Sequence, residues 1–194
     1  MLPQYLVAIG GSAGSFDALV KFFDHTLPDN ATYIILRHVP ANYKSELDQL
    51  LRKHTKLAVQ EAKQGVTLMT DKVYYAPPYF HLALNGGKFL LIRRHHTLQN
   101  KAIDIFLESL AENENRGKAI VVILSGAGFD GVKGTAAIKK AGGLVIAQVP
   151  ESCEFATMSQ QIINKGYADF VLLPEEMPVV IESYVNRNKV HLGG

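Results

Sequence analysis

The sequence predicts an α/β protein built on an open, mostly parallel, doubly wound sheet, with an antiparallel β-hairpin insertion around residues 72–93. Three observations carry that reading. Runs such as 5–9, 32–36 and 119–124 are apolar almost without interruption, as strands buried on both faces are. Each run leads through a glycine-rich or polar turn into a stretch with apolar residues at helical spacing. Finally, Asn85-Gly86-Gly87 joins two further short runs, and Asn-Gly favours a hairpin because both residues tolerate positive φ.

The elements follow in order. A strand over 5–9 enters the turn Ile9-Gly10-Gly11-Ser12-Ala13-Gly14-Ser15, and a helix over 16–23 leaves it. A turn at 27–30 precedes a second strand over 32–36, which ends in Arg37-His38-Val39-Pro40. A helix over 45–54 and a short strand over 58–62 complete a βαβαβ pattern. Short strands over 72–76, 80–84 and 88–92 form the expected antiparallel insertion, with Pro77-Pro78 separating the first two. Tyr74, Tyr75 and Tyr79 are expected to pack it. The spacing of Ile103, Phe106, Leu107 and Leu110 predicts a helix over 102–113. A central strand over 119–124 ends in Ser125-Gly126-Ala127-Gly128-Phe129-Asp130-Gly131, and a helix over 132–141 stops at Gly142-Gly143. A strand over 144–148, a helix over 157–164 and a strand over 170–173 follow. The closing helix starts near Pro174 and carries Met177, Val180, Ile181 and Tyr184. The architecture expected is a Rossmann-like, three-layer single domain over 1–190. Residues 186–194 lose apolar periodicity and read either as a frayed tail or as the start of a linker.

The bulk composition narrows the function classes. Of the 194 residues, 47% are hydrophobic and 20% charged, enough to build a core and unlike a disordered chain. A formal net charge of +2 gives no argument for nucleic acid. The single cysteine, Cys153, excludes an internal disulfide framework, fits a reducing cytoplasm and is expected to be inert. No apolar run reaches membrane-spanning length.

Chemistry-bearing residues gather at predicted strand ends. Gly10-x-Ser12-x-Gly14 has the spacing of a nucleophile elbow, in which a sharp turn lifts a serine hydroxyl to the end of a parallel strand. The helix after it aims free backbone N–H groups at whatever lies over the serine, whether an oxyanion or a phosphate. His38 follows the second strand and Asp130 follows the central one. A serine hydroxyl needs an adjacent base, and a carboxylate can hold that base in the correct tautomer. Each residue also has an ordinary reading: Ser12 and Asp130 as helix caps, His38 as a solvated loop residue. A dinucleotide fingerprint fails on glycine spacing, and no lysine completes a P-loop. Binding of a phosphate or phosphosugar at the 10–15 turn stays open as an alternative. His95 and His96 lie side by side and would point to opposite faces of a strand, so no metal site is expected. With Arg37, Lys44, Arg52, Lys53, Arg93 and Arg94 they suggest a basic rim.

Taken together, these segments resemble the catalytic domain of the chemotaxis receptor methylesterases (CheB-type). Ala8-Ile9-Gly10-Gly11-Ser12-Ala13-Gly14 is similar to the family's I-G-x-S-T-G-G opening, and Ile35-Leu36-Arg37-His38-Val39-Pro40 to its Q-H-M-P segment. Val73-Tyr74-Tyr75-Ala76-Pro77 with His81, Ile103-Asp104-Ile105-Phe106, the 123–134 stretch (L-T-G-M-G-x-D-G in the family) and Ala147-Gln148 match in order and spacing. The resemblance implies hydrolysis of γ-glutamyl methyl esters on methyl-accepting chemotaxis receptors, in some members with deamidation of glutamines, and no cofactor. It implies Ser12 as nucleophile, His38 as general base and acid, Asp130 as orienting carboxylate, and backbone donors near Ala13 and Ala127. Gly11, Gly14, Arg37, Gly128 and Met158 are expected to line the site. The implied partner is an acidic helical receptor segment.

The departures are specific. Ala13 stands for the family's threonine, Ala127 for the methionine of its G-M-G, and Arg37 for the glutamine before the histidine. They predict altered rate or preference, with a catalytically weak receptor-binding module as the alternative. The matching motifs begin at residue 8, so no receiver domain is expected before them. A receiver or methyltransferase would then act in trans or as a fused downstream module.

Overall fold

The computed structural model describes residues 5–37, 47–94, 101–112 and 118–187. A seven-stranded sheet carries the fold, in the order β3-β4-β2-β1-β7-β8-β9. Its strands are β1 (Tyr5–Gly11), β2 (Ala31–Arg37), β3 (Ala58–Glu61), β4 (Lys72–Tyr75), β7 (Ala119–Ile123), β8 (Leu144–Gln148) and β9 (Phe170–Leu172). Every pairing within it is parallel. β1, β7 and β8 are buried along their whole length, which explains their unbroken apolar sequences.

The period of two along each strand feeds two separate cores. Tyr5, Val7 and Ile9 face one side, where α1 (Ser15–Asp24), α2 (Leu47–His54) and α6 (Met177–Arg187) cover the sheet. Leu6 and Ala8 face the other, under α3 (Ala102–Ala111), α4 (Val132–Lys140) and α5 (Thr157–Asn164). This is the expected three-layer arrangement. α3 and α4 approach closely because residue 134 is glycine: a Cβ there would lie 2.5 Å from Leu107 Cβ.

The antiparallel insertion is smaller than the sequence suggested. Among the strands of the described residues, β5 (Phe80–Asn85) and β6 (Lys88–Arg93) pair antiparallel as a separate two-stranded sheet, with one isolated antiparallel bridge from Lys88 to Thr67. β4 joins the parallel sheet instead, between β2 and β3. Gly86 and Gly87 turn the hairpin with φ of 56° and 73°, the paired positive values of a two-residue turn. The hairpin lies on the α3 side: Leu82, Leu84 and Phe89 enter that core, and Leu84 N donates to Ser109 Oγ of α3 at 3.0 Å. Tyr74 packs edge-on against Phe89, with ring centroids 4.9 Å apart. Tyr79 does not pack as expected; it is exposed, in a left-handed conformation with φ 66°. At the end of the chain, α6 runs through Asn186 and Arg187, so the helix reaches into the expected tail. Residues 188–194 lie outside the described residues.

Candidate active site

The chain leaves β1 for β2 on one side and later returns to β7 on the other, so strand order reverses beside β1. In such sheets a crevice opens at the carboxyl ends of the strands at that reversal. Ser12 stands at this point, half-buried, directly after β1. Its backbone N–H donates to the Ser125 carbonyl at 3.0 Å, which ties the turn after β1 to the loop after β7. Gly14 has φ 72° and begins α1; a Cβ there would lie 2.5 Å from Glu154 Cβ, so conformation and space both demand glycine. Gly11 is buried at the end of β1, with Ser15 packed against it. The Ser12 carbonyl accepts from both the N–H and the hydroxyl of Ser15, at 3.2 and 2.8 Å. Arg37, in register with Gly11 on β2, donates from Nε to Ser15 Oγ at 3.1 Å and lays its guanidinium over the Phe16 ring.

The loop after β7 is held equally firmly. Ser125 N donates to Gln148 Oε1 at 2.8 Å; its hydroxyl donates to the Ala13 carbonyl at 3.0 Å and accepts from Phe155 N at 3.1 Å. Ser159 Oγ donates to the Gln148 carbonyl. Gly126 N donates to the Phe155 carbonyl, and the Gly126 carbonyl accepts from Met158 N. A Cβ at residue 126 would run into Met158 Sδ and lie 3.1 Å from Ser12 Cβ, so Ser12, Gly126 and the buried Met158 are in close contact. Ala13 and Ala127 are exposed, and among the described residues no acceptor meets the backbone N–H of either. Gly128 has φ 103° and shapes the loop before Asp130.

Asp130 does not cap its own helix. Its two carboxylate oxygens accept from Ile103 N and Asp104 N, at 3.0 and 2.9 Å, in the first turn of α3. Asp104 returns the arrangement: its Oδ1 accepts from Gly131 N and Gly134 N, at 3.0 and 2.8 Å, at the start of α4. Two helix N-termini thus exchange carboxylate caps, each favoured by the positive end of the opposite helix. Burial, with the Asp130 charge adding to it, raises the Asp104 pKa above the ordinary carboxylate value, while the N–H groups of 134 and 131 oppose the rise.

His38 lies outside the described residues, as do Lys44, His95 and His96. Arg37 and Arg94 line one cleft with His81, Tyr75 and Pro77 at the ends of β2 and β4. Arg52 does not contribute to a basic rim: its guanidinium is bound to both Asp48 oxygens and to the Val59 carbonyl. Burial pushes the Cys153 thiol up to about 11, so it is protonated at neutral pH. Among the described residues no three His, Cys, Asp or Glu side chains cluster as metal ligands. Sequence reasoning missed Asp104, Ser15, Ser125 and Gln148 as parts of this constellation. Asp104 carried a signal as an acid in the first turn of a predicted helix, and Ser125 and Gln148 lie within the segments 123–134 and 147–148 already matched to the family.

Comparison with known proteins places the fold in a family. The family model described as CheB methylesterase matches residues 7–181. A Thermotoga maritima protein named protein-glutamate methylesterase/protein-glutamine glutaminase is 35% identical over 181 residues, covering 89% of this chain and 52% of that protein. A protein of the same name from Methylobacillus flagellatus is 31% identical, covering 95% of this chain and 53% of its own length. The chain therefore spans about half the length of these curated relatives. The crystal structure of the Thermotoga maritima CheB methylesterase catalytic domain superposes with a TM-score of 0.86 at 31% identity, over 93% of this chain and 98% of that one.

Proposed function

The chain belongs to the CheB methylesterase family, and on that premise we propose that it is a serine hydrolase of protein glutamyl methyl esters. Its substrate is the γ-methyl ester of glutamate on an acidic helical segment of a methyl-accepting chemotaxis receptor, and glutamine amides at such sites are a second substrate. The names of the relatives, protein-glutamate methylesterase/protein-glutamine glutaminase, support this reading. The observation that carries it is the position of Ser12: at the switch-point crevice, on a turn hydrogen-bonded to the loop that bears Asp130.

The reaction follows from the residues in these roles. Ser12 Oγ attacks the ester carbonyl as His38 takes its proton. The tetrahedral oxyanion lies against the backbone N–H groups of Ala13 and Ala127, a stabilisation of roughly 3 kcal/mol per donor. His38 returns the proton to the departing methoxide, methanol leaves, and the glutamyl group stays esterified to Ser12. His38 then activates a water, whose attack frees glutamate and regenerates the serine. For a glutamine substrate the first leaving group is ammonia. Asp130 orients His38 and steadies the imidazolium. We assign 1–190 to a single catalytic unit that works in the cytoplasm, with Arg94 at the cleft of β2 and β4 attracting the acidic segment. A receiver or methyltransferase module is its regulatory or metabolic counterpart.

Reaction with a fluorophosphonate separates this reading from a receptor-binding module of the same fold. The expected result is one covalent adduct on the peptide containing Ser12, absent in Ser12→Ala. An unmodified native protein would favour the binding module.

A further inference from the structure

The hydrogen bonds behind Ser12 point to positioning residues that the triad does not include. Ser15 is fully buried and sits between a charge and the nucleophile turn. Its hydroxyl accepts from Arg37 Nε at 3.1 Å and donates to the Ser12 carbonyl at 2.8 Å, while its own N–H reaches that same carbonyl at 3.2 Å. A hydroxyl has one proton to give, and acceptance from a guanidinium leaves that proton directed at the carbonyl. The Ser12 carbonyl and the Ala13 N–H belong to one planar peptide unit and point in opposite directions. Fixing the carbonyl from behind therefore fixes the direction of the N–H in front. The chain of bonds also polarises along its length, since a cationic donor strengthens the hydroxyl as a donor in turn.

We infer that Arg37 and Ser15 are positioning residues that lock the Ser12–Ala13 peptide plane and aim the Ala13 N–H at the oxyanion. This rests on the esterase reading above and adds to it the device that orients the donor. Stacking of Arg37 on Phe16, 3.7 Å from the ring centroid, holds the guanidinium while it donates. The rigidity of the relay matters because small misplacement of a reacting group is expensive in rate.

The test is a double-mutant cycle on Ser15→Ala and Arg37→Ala, with Arg37→Gln as a milder variant. Methanol release from a methylated receptor fragment and the rate of fluorophosphonate labelling are measured together, and thermal melts establish that each variant is folded. Each single substitution is expected to lower kcat by roughly 10- to 100-fold with KM changed less than about twofold. Labelling slows in parallel, and the double variant is no slower than the worse single one. Unchanged kcat in Ser15→Ala overturns the inference, and so does an effect of Arg37→Ala confined to KM, which would make Arg37 a substrate anchor. Independent, multiplying effects overturn it as well. A native protein that reacts with neither ester nor phosphonate overturns this inference and the esterase reading together. An active native protein with unaffected variants overturns this inference alone.

Discussion

Asp130 and Asp104 together show how much of the site depends on single carboxylates. Asp130 gives both oxygens to the α3 N-terminus, and Asp104 gives one oxygen to two N–H groups at the start of α4. Replacing Asp104 by Ala leaves the buried Gly131 and Gly134 donors without it, a loss of about 1–3 kcal/mol by denaturant unfolding. Asp104→Asn keeps an acceptor and should lose less. Both variants also differ from the native chain in pH dependence, because neither titrates at position 104. Folding raises the Asp104 pKa, chiefly through burial, so its stability contribution is complete below the ordinary carboxylate range and fades as pH rises through the raised value. Stability measured from about pH 3 to pH 7 should therefore move in favour of Asp104→Asn relative to the native chain. The strand-end placements of Ser12 and Asp130 were legible because glycine spacing and strand ends are local signals. Asp104 as a capping partner was not, because its acceptors serve residues 27 and 30 positions away.

At the scale of elements, α3 and α4 form the frame that carries Asp130. Gly134 lets them meet, and Gly134→Ala would bring a Cβ to 2.5 Å from Leu107 Cβ and 3.2 Å from the Asp104 carbonyl. Overpacking of this kind costs about 1–3 kcal/mol, and a thermal melt of the variant should show the corresponding drop. The same elements show where sequence reading stops. Most helices and strands were evident from apolar period alone, and 144–148 and 157–164 coincide with β8 and α5. β4 was misgrouped with the hairpin because a four-residue strand says nothing about its partners. Its neighbours in the sheet, β2 and β3, come from other βα units, and only long-range pairing reveals them.

For the molecule as a whole, seven parallel strands separate two cores, and the candidate site lies over neither but at the strand ends between β1 and β7. Stability and chemistry should therefore be separable. Phe22, fully buried between α1 and the sheet, meets Phe23 and Tyr33 edge-on. Phe22→Ala should cost about 3–5 kcal/mol while leaving kcat per folded molecule unchanged, a contrast read by pairing unfolding curves with turnover below the melting range. The fold class was legible from the apolar runs; the strand order that creates the switch point was not, because parallel neighbours can be far apart in sequence. The central claim concerns the bond broken at that point. Methanol released from a receptor fragment carrying γ-glutamyl methyl esters measures it directly. The native chain should release methanol in step with new carboxylates, and Ser12→Ala should not; undiminished release by Ser12→Ala, or none by the native chain, would contradict the account.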